Sequence, residues 1–340
     1  MSESDLSARV EIGIGETRAL VLDGESIVEV HIERDDGGLR AGDLWAARLS
    51  KILVPGVRGI VLAGDAEALL EPLPPGLTEG ALVRVEVLRE AIPETGRLRL
   101  AKVAARAGTM RGPVRIGHGP DLVARLHARG LPVTETTAIG IDRLEEAGWS
   151  EALDAATTGH IGFAHGLLTI SPTPAMTVID VDGAAAPDVL ALSAAQACAA
   201  AIRRFDIAGS IGIDFPTVAD KAVRTRIGDL LDAALPKPFE RTAVNGFGFV
   251  QIVRPRLRAS LVELLRATPV ASAALALLRA GERAQGAGDR VVTAAAPVID
   301  WLTTRADLTA ELERRCGARV RLQADAALSI SAGHVATIPR

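Results

Sequence analysis

Val178-Ile179-Asp180-Val181-Asp182-Gly183 is an apolar run that passes straight into two carboxylates. Residues i and i+2 of a strand point to the same face, so Asp180 and Asp182 project together at its C-terminal end. Further on, Ile211-Gly212-Ile213-Asp214-Phe215 repeats the pattern of an apolar strand ending in Asp. The Ala-rich stretch Asp188–Phe205 between them reads as a helix. Strand, helix and strand make a βαβ unit with parallel strands and a right-handed crossover. Adjacent strands lie about 4.8 Å apart, which sets Asp214 beside Asp180 at the carboxyl edge, where open α/β sheets place their sites. One Asp ending a strand is commonly a turn former. A DxD with a second strand-terminal Asp points instead to a cation, because three close carboxylates repel one another. Hard oxygen donors favour Mg²⁺ or Mn²⁺, the outline of a hydrolytic or phosphoryl-transfer site.

Downstream, Thr217–Ala234 reads as a helix capped by Thr217 and Arg241–Val253 as a third extended segment. Arg254-Pro255-Arg256-Leu257-Arg258 then places three arginines at spacing two, a pattern able to grip phosphate. Lys221, Arg224 and Arg226 fall on the preceding helix. His160 and His165 are five apart, which is neither strand-face nor helix-face spacing, and they read as solvated residues. Ala259–Arg266 opens a further helix.

Upstream, Ser7–Ile14, Thr17–Leu22 and Ser26–Glu33 read as strands separated by Gly15-Glu16 and Asp23-Gly24. Short strands follow near Asp43–Ile52, Arg58–Leu62, Ala66–Leu70, Ala81–Leu88 and Arg97–Val103. Five short strands between Gly-rich and Pro-rich turns, one of them at 93–96, suit a small barrel of the OB type. Asp121–Arg129 and Asp142–Thr158 look helical. The chain ends in helices near Pro269–Leu278, Ala296–Thr303 and Asp307–Arg315, and strands near Val320–Ala324 and Ala327–Ile330.

Composition narrows the function classes. With 340 residues, two or three domains are expected. Lys+Arg is 38 against 42 Asp+Glu, a formal charge of −4, so nonspecific binding of polyanions by the whole surface is not expected. There is no Tyr and aromatics are 3%, so a protein that stacks many bases on rings is excluded. Cys198 and Cys316 form no CxxC pair, which excludes a Cys-based zinc knuckle within the chain and suits a reducing cytoplasm. Met1-Ser2-Glu3-Ser4-Asp5 has no basic flank or apolar run and does not read as a leader. No stretch reads as a membrane span. The expectation is a soluble, cytoplasmic protein.

These residues resemble the ribonuclease E/G family, bacterial endoribonucleases that cut single-stranded RNA with Mg²⁺. Val30-His31-Ile32-Glu33-Arg34 is similar to the family's opening E-L-H-I-E-R. Lys51-Ile52-Leu53-Val54-Pro55-Gly56 resembles its G-K-V-x-x-V-L-P-G approach to an embedded OB domain. Val178–Gly183, Gly212–Phe215 and Phe247–Arg256 resemble its S-I-D-I-N, V-I-D-F and F-G-L-x-E-M-x-R-x-R segments. The resemblance implies Mg²⁺ ligands at Asp180 and Asp214, with Mn²⁺ as the alternative. Asp182 stands where the family usually has an Asn that orients the attacking water. The implied reaction is RNA phosphodiester hydrolysis leaving a 5′-phosphate, in RNA processing or decay. Lys221, Arg254 and Arg256 are the candidates for substrate phosphate contacts.

The sequence also departs from the family pattern. Ala267-Thr268-Pro269-Val270-Ala271 stands where the CPxC zinc link is expected, so no zinc is expected and any homo-oligomer would form without that link. Gly246 replaces an arginine, and aliphatics such as Ile60 and Leu69 replace the OB aromatics. No R-T-A-G motif for sensing a 5′-monophosphate is present. The expected architecture is α+β and multidomain, with an embedded OB-fold β-barrel and an α/β catalytic domain on a mixed sheet. The expected blocks are 1–38, an N-terminal β segment packing on the catalytic region; 39–104, the barrel; 105–266, the catalytic domain; and 267–340, a C-terminal subdomain. A catalytically weak RNA-binding or scaffold protein on the same fold is the alternative.

Overall fold

The computed structural model describes residues 6–94, 97–110, 112–138 and 140–339. The leader reading at residues 1–5, and part of the turn expected at 93–96, lie outside them. The chain opens with strands β1 (Leu6–Ile12), β2 (Glu16–Asp23) and β3 (Ser26–Arg34). Next come β4 (Leu44–Val54), β5 (Arg58–Ala63), β6 (Ala66–Leu70), β7 (Leu82–Arg89), β8 (Ile92–Glu94), β9 (Arg97–Arg99), β10 (Ala101–Ala105) and β11 (Arg115–Gly117). Then follow α1 (Leu122–Ala128), β12 (Val133–Thr136), α2 (Trp149–Thr158), β13 (His160–Phe163), β14 (Gly166–Pro172), β15 (Thr177–Gly183), α3 (Pro187–Arg204) and β16 (Gly209–Asp214). After these run α4 (Lys221–Ala234), β17 (Glu240–Arg241), β18 (Phe249–Arg254), α5 (Leu261–Ala267) and α6 (Pro269–Arg283). The last elements are β19 (Asp289–Ala294), α7 (Ala296–Thr304), α8 (Ala306–Cys316), β20 (Val320–Ala324) and β21 (His334–Ile338).

The chain divides into two discontinuous compact units. The terminal unit takes the chain up to Asp36, Leu126–Leu153 and everything from Leu265 on; the central unit takes Gly37–Arg125 and Asp154–Leu264. This differs from the four consecutive blocks expected. The reason is pairing over long sequence separation: β1 pairs in parallel with β12, so the N-terminal strands share a sheet with a segment more than one hundred residues away. That sheet has the order β12-β1-β2-β3. A second sheet, β20-β19-β21, packs with α6, α7 and α8 around Leu275, Leu278, Val292, Val298 and Leu302, and Ile14 joins the same core. Gly15 makes that packing possible. Its φ is +74°, and a Cβ there would stand 2.9 Å from the Leu275 side chain.

Charge is buried in the terminal unit. Arg18 is 1% exposed and donates Nε and Nη2 to the two carboxylate oxygens of Glu11 at 3.0 and 3.1 Å. Its Nη2 also donates to Asp142 at 2.5 Å, and its guanidinium lies 5.0 Å from the centre of the Trp149 ring. Arg283 pairs with Glu11 and Arg279 with Glu16. Burial alone lowers the pKa of the Arg18 guanidinium, but the hydrogen bonds to Glu11 and Asp142 outweigh it and leave the pKa raised.

In the central unit, β4, β5, β6, β10 and β7 close a five-stranded OB-like barrel, with β7 pairing back onto β4. The alternation of β7 shows why: Val83, Val85 and Val87 point inward to Leu49, Val61, Leu70 and Val103. The fifth barrel strand is β10. The segment expected as one strand from Arg97 to Val103 splits, and its first part pairs with β8 as a hairpin.

The rest of the central unit is a mixed sheet of order β13-β14-β15-β16-β18-β17. Only β15 and β16 are parallel within it, joined through α3 as the βαβ reading requires. Leu168, Ile170, Ile179, Val181, Ile211, Ile213, Val250 and Ile252 make one buried face. The small residues Ala191, Ala194, Ala195, Cys198 and Ala199 are the buried stripe of α3. Cys198 is enclosed there as a free thiol, and burial pushes its pKa up. Three local expectations are corrected. Helix α2 starts at Trp149 rather than Asp142, because Gly148 at φ +100° breaks the run. Helix α4 is capped by Asp220, whose carboxylate accepts from Ala222 N at 2.7 Å, because the Pro216 segment stays outside the helix. The extended stretch 241–253 is two strands separated by a turn at Asn245–Gly248. Among the described residues no single helix is long and apolar enough to cross a membrane.

Candidate active site

Strand alternation gives the mixed sheet its second face. Side chains paired directly across strands point the same way. The register pairs Asp180 with Asp214 on β15 and β16, Asp180 with Thr169 on β14, and Thr169 with His160 on β13. On the other side Asp214 pairs with Phe249. One row therefore runs His160, Thr169, Asp180, Asp214, Phe249 across five strands. It lies on the face opposite α3, and Asp180, Asp182 and Asp214 are exposed there. Asp182 lies two residues along from Asp180 on the same face, opposite Leu167.

The three carboxylates act on one another. Partial burial, the charges of Asp182 and Asp214, and a hydrogen bond with Asp182 raise the Asp180 pKa, offset in part by a hydrogen bond from the Val181 backbone. A neighbouring cation would reverse that balance. Among the described residues, however, no three His, Cys, Asp or Glu side chains converge to hold an ion unaided. The donor set is thus an open carboxylate pair with a third carboxylate close by, not a closed cage. That fits Mg²⁺, which keeps several waters and commonly takes one or two carboxylates plus substrate phosphate oxygens. Millimolar Mg²⁺ is accordingly expected to raise the melting temperature of the wild type and to leave Asp180→Asn nearly unmoved. A hundredfold excess over Kd corresponds to about 2.7 kcal/mol. Equal shifts in the two proteins would contradict a site at Asp180.

The basic candidates separate into two groups. Lys221 is exposed at the first turn of α4, the helix that follows β16 and packs against α3. Arg254 is at the end of β18 away from Asp214. It pairs with Gly209, five residues from Asp214, so about 17 Å of strand lies between them. Alternation turns its side chain to the helix-covered face, where Nη1 donates to Ile207 O at 2.7 Å. Arg256 is ion-paired with Glu263 beside Gly209, and Arg258 lies 3.7 Å from Glu90 and 3.9 Å from Asp206. The structure brings Asp180, Asp182 and Asp214 together and does not bring Arg254 or Arg256 to them.

Three further residues join the row: His160, which the sequence offers only as a weak candidate, and Thr169 and Phe249, which it does not single out. His160 lies two strands from Asp180, roughly 10 Å at 4.8 Å per strand. Phe249 directly faces Asp214. Only the pairing register reveals these placements.

Residues 142–257 match the model of the Ribonuclease E/G family, and this span contains all three carboxylates. This segment is similar to the ribonuclease E/G family. Ribonuclease G of Escherichia coli K12 is 34% identical over 112 residues, covering 29% of this chain and 23% of the relative. Ribonuclease G from Escherichia coli O6:H1 and from Shigella flexneri match to the same extent. The chain thus spans under a quarter of the length of the curated relatives it matches. The ribonuclease E/G segment begins just before α2 and ends just after β18, so it holds the mixed sheet and leaves out the barrel.

Proposed function

We propose that this chain is a Mg²⁺-dependent endoribonuclease that hydrolyses phosphodiester bonds of single-stranded RNA. The observation that carries the proposal is the register pairing of Asp180 with Asp214 on adjacent parallel strands, on an exposed face inside the ribonuclease E/G segment. Asp180 and Asp214 would hold the ion. When bound, Mg²⁺ supplies Lewis-acid charge that offsets negative charge developing on the phosphoryl oxygens. Asp182, two residues along the same strand from Asp180, would accept a proton from the attacking water through a carboxylate oxygen. Lys221, in the first turn of the helix that follows Asp214, would offer a point charge to a substrate phosphate. Thr169 and His160 extend the same row and offer polar contacts along the strand of RNA.

The test is incubation of purified protein with an end-labelled single-stranded RNA. Internal cleavage in Mg²⁺, abolished by EDTA, with 5′-phosphate on the downstream product, is expected. Cleavage that persists in EDTA would contradict the metal requirement.

A second reading, an RNA-binding protein with little or no catalysis, is favoured by the engagement of Arg254 and Arg256 in internal contacts away from the carboxylates. It predicts salt-sensitive RNA binding with no Mg²⁺-dependent product.

A further inference from the structure

We propose that Phe247 is a base-stacking platform for the substrate strand beside the carboxylates. The proposal rests on the reading of the mixed sheet as an RNA site. Phe247 is 81% exposed, the most exposed large hydrophobic residue among those described. The other eight aromatic residues are buried or half-buried. Trp45 of the barrel is already covered by its own cation, with the Arg115 guanidinium 4.7 Å from the ring centre.

The turn that carries the ring is also held in place. Asn245 Oδ1 accepts hydrogen bonds from Phe247 N at 2.9 Å and Phe249 N at 3.0 Å. Gly248 N donates to Asn245 O at 3.2 Å, and Phe215 N, the residue after Asp214, donates to Gly248 O at 3.2 Å. Gly248 has a φ of +93°, and a Cβ there would fall 2.2 Å from Phe215 O. The turn is therefore seated directly on the backbone that leaves Asp214. Phe247 lies two residues before Phe249, the register partner of Asp214.

An exposed ring on a fixed turn offers contact area without a large ordering cost. The two residues before it, Asn245 and Gly246, are exposed and not apolar. One ring beside a phosphate-hydrolysing pair matches one nucleobase. Stacking tolerates any base, so the contact would position the strand without selecting a sequence.

The test measures binding of a labelled single-stranded oligoribonucleotide in EDTA, then cleavage in Mg²⁺. Phe247→Ala is expected to bind about 5- to 150-fold more weakly, and Phe247→Trp to restore binding. A ring so exposed contributes little packing, so the melting temperature of Phe247→Ala should match the wild type. Abasic substitution at one position should weaken the wild type by the same factor and leave Phe247→Ala unchanged. Equal binding by wild type and Phe247→Ala, or full restoration by Phe247→Leu, would overturn the proposal. If the wild type binds through Phe247 but never cuts, the hydrolytic reading alone falls; if it binds no RNA, both fall.

Discussion

Arg18→Met is expected to destabilise the terminal unit by about 3–5 kcal/mol, the cost of breaking a buried ion pair by removing one partner. Arg18 is fully enclosed, and its guanidinium bridges Glu11 and Asp142. Without it Glu11, at 0% exposure, keeps Arg283 as its cation among the described residues. Asp142 loses its 2.5 Å partner and keeps Arg283 at 3.5 Å. The Arg18 and Asp142 shifts agree on the sign. The arginine raises its own charge preference and holds the Asp142 carboxyl below its usual range, against burial that pushes it up. A folded-state pKa held below the unfolded one contributes stability above the unfolded value of Asp142. That contribution fades as pH falls through the lower folded value. Urea unfolding followed by tryptophan fluorescence reads both effects, since Trp149 packs on Arg18. The double variant Arg18→Met with Glu11→Leu should recover part of the loss, because an apolar pair of similar volume often replaces a buried ion pair without penalty. A loss under about 1 kcal/mol for the single variant, within the range of an exposed pair, would contradict a buried network.

Asp214→Asn is expected to reduce RNA cleavage at least ~10²-fold while leaving the fold intact. Asp214 is exposed at the end of β16 with its backbone in the sheet register, so an isosteric amide changes charge and little else. Asp180→Asn should lose as much. The double variant should lose no more than about the same factor, because two ligands of one ion act as a unit. Asp182→Asn separates roles. It restores the residue type that the family usually carries there, so activity should persist with an altered pH profile if Asp182 serves as proton acceptor. RNA affinity in EDTA should be kept in all three, and a parallel loss of binding would shift the assignment from metal ligand to substrate contact.

The parts of this fold that were legible in the sequence are those with local causes. β15, α3 and β16 combine two apolar runs, an Ala-rich helix and Asp punctuation, and each emerges within two residues of its expected bounds. The barrel was legible from short alternating strands between turns, though the Arg97 segment was assigned to the wrong strand because β9 pairs with β8 rather than continuing into β10. The terminal unit was not legible as a unit. Its β1–β12 pairing and its Glu11–Arg283 and Glu16–Arg279 pairs join residues up to 272 positions apart. Nothing local in a Glu or Arg on a strand announces such a partner. At the candidate site, the three carboxylates could be grouped by strand parity and the βαβ rule. The placement of Arg254 could not, because it depends on β18 running antiparallel to β16. A parallel β18 would have carried the arginines to the carboxylate end. The turn at Asn245–Gly248 reverses that geometry, and the same turn displays Phe247.

The most direct measurement is side-by-side incubation of wild type, Asp180→Asn and Asp214→Asn with one labelled single-stranded RNA in Mg²⁺, with EDTA as control. Internal Mg²⁺-dependent cleavage by the wild type alone is the predicted result. Binding without cleavage by all three proteins, or equal cleavage by wild type and Asp214→Asn, would contradict the assignment of the carboxylate pair as the catalytic centre.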